Sequence, residues 1–97
     1  MTRGWPEIAS LELLVGIDDR GSLGAAARAA GVAQPNASRA IRQLEKQFGV
    51  TLLERSPRGS SLTAQGTVIV HWARQVLADA EQLLDAAAAL RVEREAH

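Results

Sequence analysis

The sequence predicts a mainly α-helical fold, a winged helix-turn-helix (three helices plus a two-stranded hairpin) followed by a long C-terminal dimerisation helix. Three observations predict it. Apolar residues make up 46% of the 97-residue chain, but 18 residues are alanine and only three are aromatic. That composition suits helices at close approach better than a sandwich or barrel. Two short helical patterns between Ser22 and Gly49 are parted only by Gly31-Val32-Ala33, a tight turn containing glycine. The period then changes around Ser56-Pro57-Arg58-Gly59, before a last helical pattern with no proline.

The first helix is expected to begin after Pro6 and run to about Asp19, with Leu11, Leu14, Val15, Ile8 and Ile17 as its buried stripe. Gly21 ends it, and the Ser22 hydroxyl can cap the second helix, Leu23 to Ala30. There Leu23, Ala26, Ala27 and Ala30 share a face small enough to admit a neighbouring backbone. The third helix carries Pro35 in its first turn, and Ala37, Ile41, Leu44 and Phe48 recur at four, three and four. Gly49 closes it. Residues 50–55 and 60–63 read as two strands of a hairpin whose Leu52, Leu53 and Leu62 pack back on the helices. Thr63 can cap a final helix over most of 64–95, roughly 40 Å long. Its stripe of Ile69, Trp72, Val76, Ala80, Leu83, Ala87 and Leu90 outruns a 60-residue core, so a second copy of the helix is its expected partner. The chain thus divides into a winged helix-turn-helix domain, 1–62, and a linker or dimerisation helix, 63–97.

Several function classes are excluded or thinly supported. Cysteine is absent, so disulfides, thiolate zinc sites and thiol nucleophiles are excluded. His71 and His97 are too few for a histidine-rich metal site, and His71 has no carboxylate one helical turn away. No catalytic set, metal site or cofactor is expected. Asp18 and Asp19 read as a solvated helix end, and Trp5 and Trp72 as packing or interface residues. No apolar run approaches the ~20 residues of a membrane helix. Met1-Thr2-Arg3-Gly4-Trp5-Pro6 shows no signal peptide, which points to a cytoplasmic, nucleoid-associated protein.

The net charge of zero conceals a pattern. Residues 28–58 hold six basic side chains against two acidic ones, while both flanks are acidic. A local basic surface is what phosphate binding requires. The third helix presents Gln34, Asn36, Ser38, Arg39, Arg42, Gln43 and Lys46 off its buried stripe. Arginine pairs with guanine, glutamine or asparagine with adenine, and serine with bases or phosphates. The residues nearest the helix N-terminus, Gln34, Pro35, Asn36, Ser38 and Arg39, are candidates for reading base edges. Ser22, Arg42, Gln43, Lys46, Arg55, Arg58 and Thr63 are candidates for the phosphates or the minor groove. A plain amphipathic helix would also show a polar outer face, and hairpin arginines are often only solvated. A protein-interaction module on the same fold, without DNA, is the alternative, with a small helical enzyme a weaker contrast.

From Leu11 to Gly66 the chain resembles the N-terminal DNA-binding region of LysR-type transcriptional regulators. The matching residues are Leu11-Glu12-Leu13-Leu14-Val15, Gly21-Ser22-Leu23-Gly24-Ala25-Ala26-Ala27, Val32 to Arg39, Ile41 to Glu45, Phe48 to Arg55, Arg58-Gly59 and Leu62 to Gly66. The resemblance implies a bacterial, sequence-specific regulator that binds interrupted palindromes in double-stranded DNA. Such regulators act as dimers, or as tetramers in a full-length form. It implies that Gln34, Pro35, Ser38 and Arg39 approach the major groove, while Arg42, Arg55 and Thr63 hold phosphates or the minor groove. The last helix resembles the family's linker helix, which pairs antiparallel between subunits. Two departures stand out. Ala33 replaces the usual Ser or Thr, losing a cap of ~1 kcal/mol, and Gly24-Ala25 replace residues that are commonly polar. The family's effector-binding domain is expected to be absent from this chain, which would make it an isolated or shortened domain.

Overall fold

The computed structural model describes residues 4–95. Arg3, His97 and the rest of the extreme termini lie outside the described residues. The elements are α1 (Ile8–Arg20), α2 (Leu23–Ala30), α3 (Gln34–Phe48), β1 (Leu53–Ser56), β2 (Gly59–Leu62) and α4 (Ala64–Glu95). This is a winged helix-turn-helix with a long C-terminal helix.

The ends of the helices follow from capping chemistry. The Ser22 Oγ accepts the Ala25 N–H (3.1 Å) at the start of α2. Gly31 and Gly49 close α2 and α3 in the left-handed conformation. Ala33 stands at the head of α3 without a side-chain cap, as its methyl group dictates. Thr63 Oγ1 accepts the Gly66 N–H (2.8 Å) and donates to the Thr51 carbonyl (2.6 Å), tying the start of α4 to the loop before the wing.

The core gathers Leu11, Leu14, Ile17, Leu23, Ile41, Leu44, Leu52 and Val70 from every helix and the loop before the wing. Leu14, Ile41, Leu44 and Leu52 are its largest fully buried side chains, each contributing roughly 1.5–3 kcal/mol of burial. Three expectations need correction. Ile8 is exposed, because it begins α1 beyond the reach of the core, and Leu13 is buried instead. Ala30 is also exposed at the open end of α2. Asp18 and Asp19 do not simply end α1 in solvent: Arg74 of α4 donates to both carboxylates at 2.7 Å.

The first strand is shorter than expected, and the second is shifted by one residue toward the turn. Val50 to Leu52 are excluded from β1 because the Glu45 carboxylate accepts the Leu52 and Leu53 N–H groups (2.8 and 3.3 Å). The Leu52 carbonyl in turn accepts the Thr63 N–H (2.9 Å). The hairpin is antiparallel, pairing Leu53 with Leu62 and Ser56 with Gly59. Pro57 fixes its own φ near −65°, so Gly59 supplies the positive φ, 122°, that turns the chain back.

The first turns of α4 belong to the same core through Gly66, Val70 and Ala73. From Glu81 to Glu95 every side chain is exposed except the half-buried Ala88. At 1.5 Å per residue its 32 residues reach about 48 Å, which accounts for most of the molecule's 58 Å length.

Candidate nucleic-acid interface

The apolar stripe of α3, Ala37, Ile41 and Leu44, is sealed in the core, with Phe48 half-buried at the end. Sealing that face fixes the opposite one outward. Gln34, Pro35, Asn36, Arg39, Arg42, Gln43 and Lys46 are exposed, and Ser38 is half-buried. No other protein segment covers the ridge of Pro35, Arg39, Arg42 and Lys46 among the described residues.

The two sides of that ridge differ. On one side, Ser22, Gln34, Pro35 and Ser38 face Arg55, Arg58 and Gly59 across an open cleft of about 730 Å³. The Arg55 guanidinium donates to Ser38 Oγ (2.5 Å), so the wing is joined to α3 by a pair of expected site residues. Gln34 rests over Gly24, where an added Cβ would stand 3.4 Å from Gln34 Oε1. The small residue at that departure from the family pattern therefore leaves room for Gln34. On the other side, Asn36, Arg39 and Gln43 line a separate cleft of about 350 Å³ with the segment before α1. There Asn36 Oδ1 accepts a hydrogen bond from Arg39 (3.3 Å) and restrains the guanidinium. That bond uses one of its five N–H donors.

Ser22 and Thr63 act as caps, and both are half-buried. Thr63 gives its only hydroxyl proton to Thr51. Lys46, Arg42 and Thr63 lie outside both clefts. Sequence reasoning missed two organising residues. Ser60 Oγ accepts the Leu23 N–H (3.1 Å), fastening β2 to the first turn of α2. Glu45 holds the chain entering the wing. The signal for Glu45 was its place one turn before Gly49, the residue that ends α3 and begins the chain toward the wing.

The expected dimer stripe is open. Trp72 (62% exposed), Val76, Leu83 (70%), Ala87 and Leu90 (66%) are exposed, and Ile69 and Ala80 are half-buried. The His71 ring meets Trp72 edge-on at 5.2 Å. Among the described residues no group of three or more His, Asp or Glu could hold a metal ion. No described helix is long and apolar enough to cross a membrane.

A polar, cation-bearing α3 between a tight turn and a hairpin defines a winged helix-turn-helix domain of the kind that meets a polyanion. The description "Bacterial regulatory helix-turn-helix protein, lysR family" matches residues 8–67, and the chain belongs to that family. It is 39% identical over 88 residues to an uncharacterized HTH-type transcriptional regulator of Mycobacterium tuberculosis, covering 91% of this chain and 28% of that protein. It is 41% identical over 71 residues to the HTH-type transcriptional regulator ClcR of Pseudomonas putida, covering 73% of this chain and 24% of that protein. The chain therefore spans about a quarter of the length of these relatives. Among solved structures it resembles the CbnR DBD in its DNA complex, with a TM-score of 0.80 and 37% identity over 87% of this chain and 97% of that one. The BenM DBD complexed with catB site 1 DNA gives 0.79 and 30%, over 87% and 94%.

Proposed function

We propose that this domain binds double-stranded DNA sequence-specifically and regulates transcription. It does so as a dimer, in the cytoplasm, on nucleoid DNA, and catalyses nothing. The observation that carries the reading is the uncovered ridge of α3, whose polar and cationic side chains stand outward from Gln34 to Lys46. The DNA complexes of the CbnR and BenM domains support it. In this reading α3 enters the major groove. Gln34, Pro35, Asn36, Ser38 and Arg39 meet base edges. Arg42, Gln43, Lys46, Arg55 and Arg58 hold the backbone, while Ser22 and Thr63 serve through the helix N-termini they order.

Residues 1–62 then read DNA while 63–97 join two copies. The stripe from Ile69 to Leu90 has nearly the same spacing in both directions about Ala80. Antiparallel helices related by a twofold axis beside Ala80 set Ile69 against Leu90, Val76 against Leu83, and the large Trp72 against the small Ala87. Half-sites on one face of the duplex fall about one turn, ~34 Å, or a multiple apart. A full-length form would assemble two such dimers into a tetramer.

Selection of bound duplexes from a random pool, followed by titration at two salt concentrations, tests this reading. Binding that weakens steeply with salt but keeps its sequence preference is the expected result. Arg39→Ala relaxes that preference, at a cost of about 1–3 kcal/mol for the preferred base. Arg42→Ala weakens all duplexes alike. No selection at any salt would remove the regulator reading and favour a protein-interaction module.

A further inference from the structure

The segment before α1 lies along the flank of α3 that the wing leaves uncovered. Gln47, in the last turn of α3, donates its side-chain N–H to the Trp5 carbonyl (3.2 Å). Gly4 approaches the same amide, 3.8 Å from where a Cβ would stand. Pro6 follows and restricts Trp5 to an extended backbone. The segment is thus held at a defined place, and the Trp5 residue is 72% exposed. Trp5 and Glu7 form one wall of the cleft whose other wall is Asn36, Arg39 and Gln43. The segment also precedes the span that the family description matches, 8–67.

This inference rests on the reading that α3 enters the major groove. A helix seated there has a sugar–phosphate backbone on either side, and the wing stands on only one of them. We propose that Trp5 is a DNA-contacting residue on the opposite side, its indole lying against the deoxyribose–phosphate backbone of the strand that the wing does not hold. An indole suits this position for two reasons. Its face packs on sugar C–H groups, and its Nε1–H can donate to a phosphate oxygen. Glu7 and Arg39 offset one another's charge within the cleft, and the exposure of Trp5 places the contact at the rim, where a neutral ring incurs no charge penalty. Gln47 is the positioning residue, acting through the Trp5 carbonyl.

Hydroxyl-radical footprinting of the full chain on a duplex chosen from the random pool tests the assignment. Trp5→Ala is expected to lower affinity about three- to tenfold. It should also erase sugar protection at the outer edge of each half-site on one strand, leaving the central protection and the sequence preference intact. Trp5→Phe restores most of the outer protection, and Gln47→Ala loses part of it. An unchanged footprint and affinity in Trp5→Ala, alongside relaxed preference in Arg39→Ala, overturns this inference and leaves the proposed function standing. A change in the dimer equilibrium with no change in the footprint also overturns it, assigning Trp5 to a protein contact. A wild-type chain that protects no duplex removes both.

Discussion

The first turns of α4 and its last five are one continuous helix in two different surroundings. Up to Leu77 the helix turns Gly66, Val70, Ala73 and the half-buried Leu77 toward the domain. Beyond it no side chain is buried, and Leu83, Leu84, Leu90 and Val92 all stand exposed. The inward residues of the first part are mostly small, because they meet backbone and packed helices at short range. Those outward residues of the second part are large and apolar, and none of them joins the core among the described residues. Small residues facing the core and large ones facing away are what a strut shared by two copies requires. An isolated helix of polar surface would show neither. Exposed apolar area on this scale marks an interaction surface.

The comparison is broken most directly at the distal half. In the proposed dimer, Leu83→Asp sets a carboxylate against Val76 of the second copy, twice by symmetry. Each lost contact removes roughly 1.5–3 kcal/mol of burial, so the dimer dissociation constant is expected to rise by more than about 100-fold. Thermal unfolding of the domain itself should barely change, since Leu83 is outside the core. Sedimentation equilibrium measures the first and a melting curve the second. A variant that remains fully dimeric would show that the stripe does not join copies. Ala80→Cys sharpens the same point: in a chain without cysteine, oxidation should yield one cross-linked dimer only if the axis lies beside residue 80.

At the proximal half the expected effect is on folding instead. A Cβ at Gly66 would stand 2.3 Å from the Leu52 carbonyl oxygen. That oxygen is backbone, already bonded to the Thr63 N–H, and cannot yield cheaply. Gly66→Ala is therefore expected to destabilise the domain by about 2–3 kcal/mol, read from denaturant unfolding. It would weaken DNA binding only through the displaced wing. A stability unchanged from the wild type would mean that α4 is not seated against the loop before β1.

These two halves were unequally legible in the sequence. The order of elements, the stripe of α3, the Ser22 and Thr63 caps and the wing turn all follow from local chemistry, and the structure has them. The outward ridge of α3 was legible for the same reason, since Ala37, Ile41 and Leu44 leave only one face for Arg39 and Arg42. The inward face of α4 was not. Alanine and aliphatic residues surround much of that helix, so periodicity selects the stripe through Trp72 and hides the one through Val70 and Ala73. Contacts across long sequence separations were hidden too. Ser60 on Leu23, Gln47 on Trp5 and Arg74 on Asp18 and Asp19 join residues 37 to 56 positions apart. No local pattern announces such pairs.

The smallest expected effect lies at the junction of the two halves, where Arg74 holds the end of α1. The hydrogen bond from Arg74 keeps the Asp19 carboxyl below its ordinary value of 3.8. A carboxylate whose folded value is lowered stabilises the fold in full above its unfolded value and loses that contribution as pH falls through the folded one. The pair is open to solvent on both sides, so its contribution is small and screened by salt. Arg74→Gln should therefore leave neutral-pH melting almost unchanged and move the Asp19 titration, followed by carboxyl NMR, up toward 3.8. Wild-type Asp19 titrating at the ordinary value would mean that the Arg74 contact is not kept in solution. Packing at Gly66, Val70 and Ala73 alone would then set the angle at which α4 leaves the domain, and with it the separation of two recognition helices on DNA.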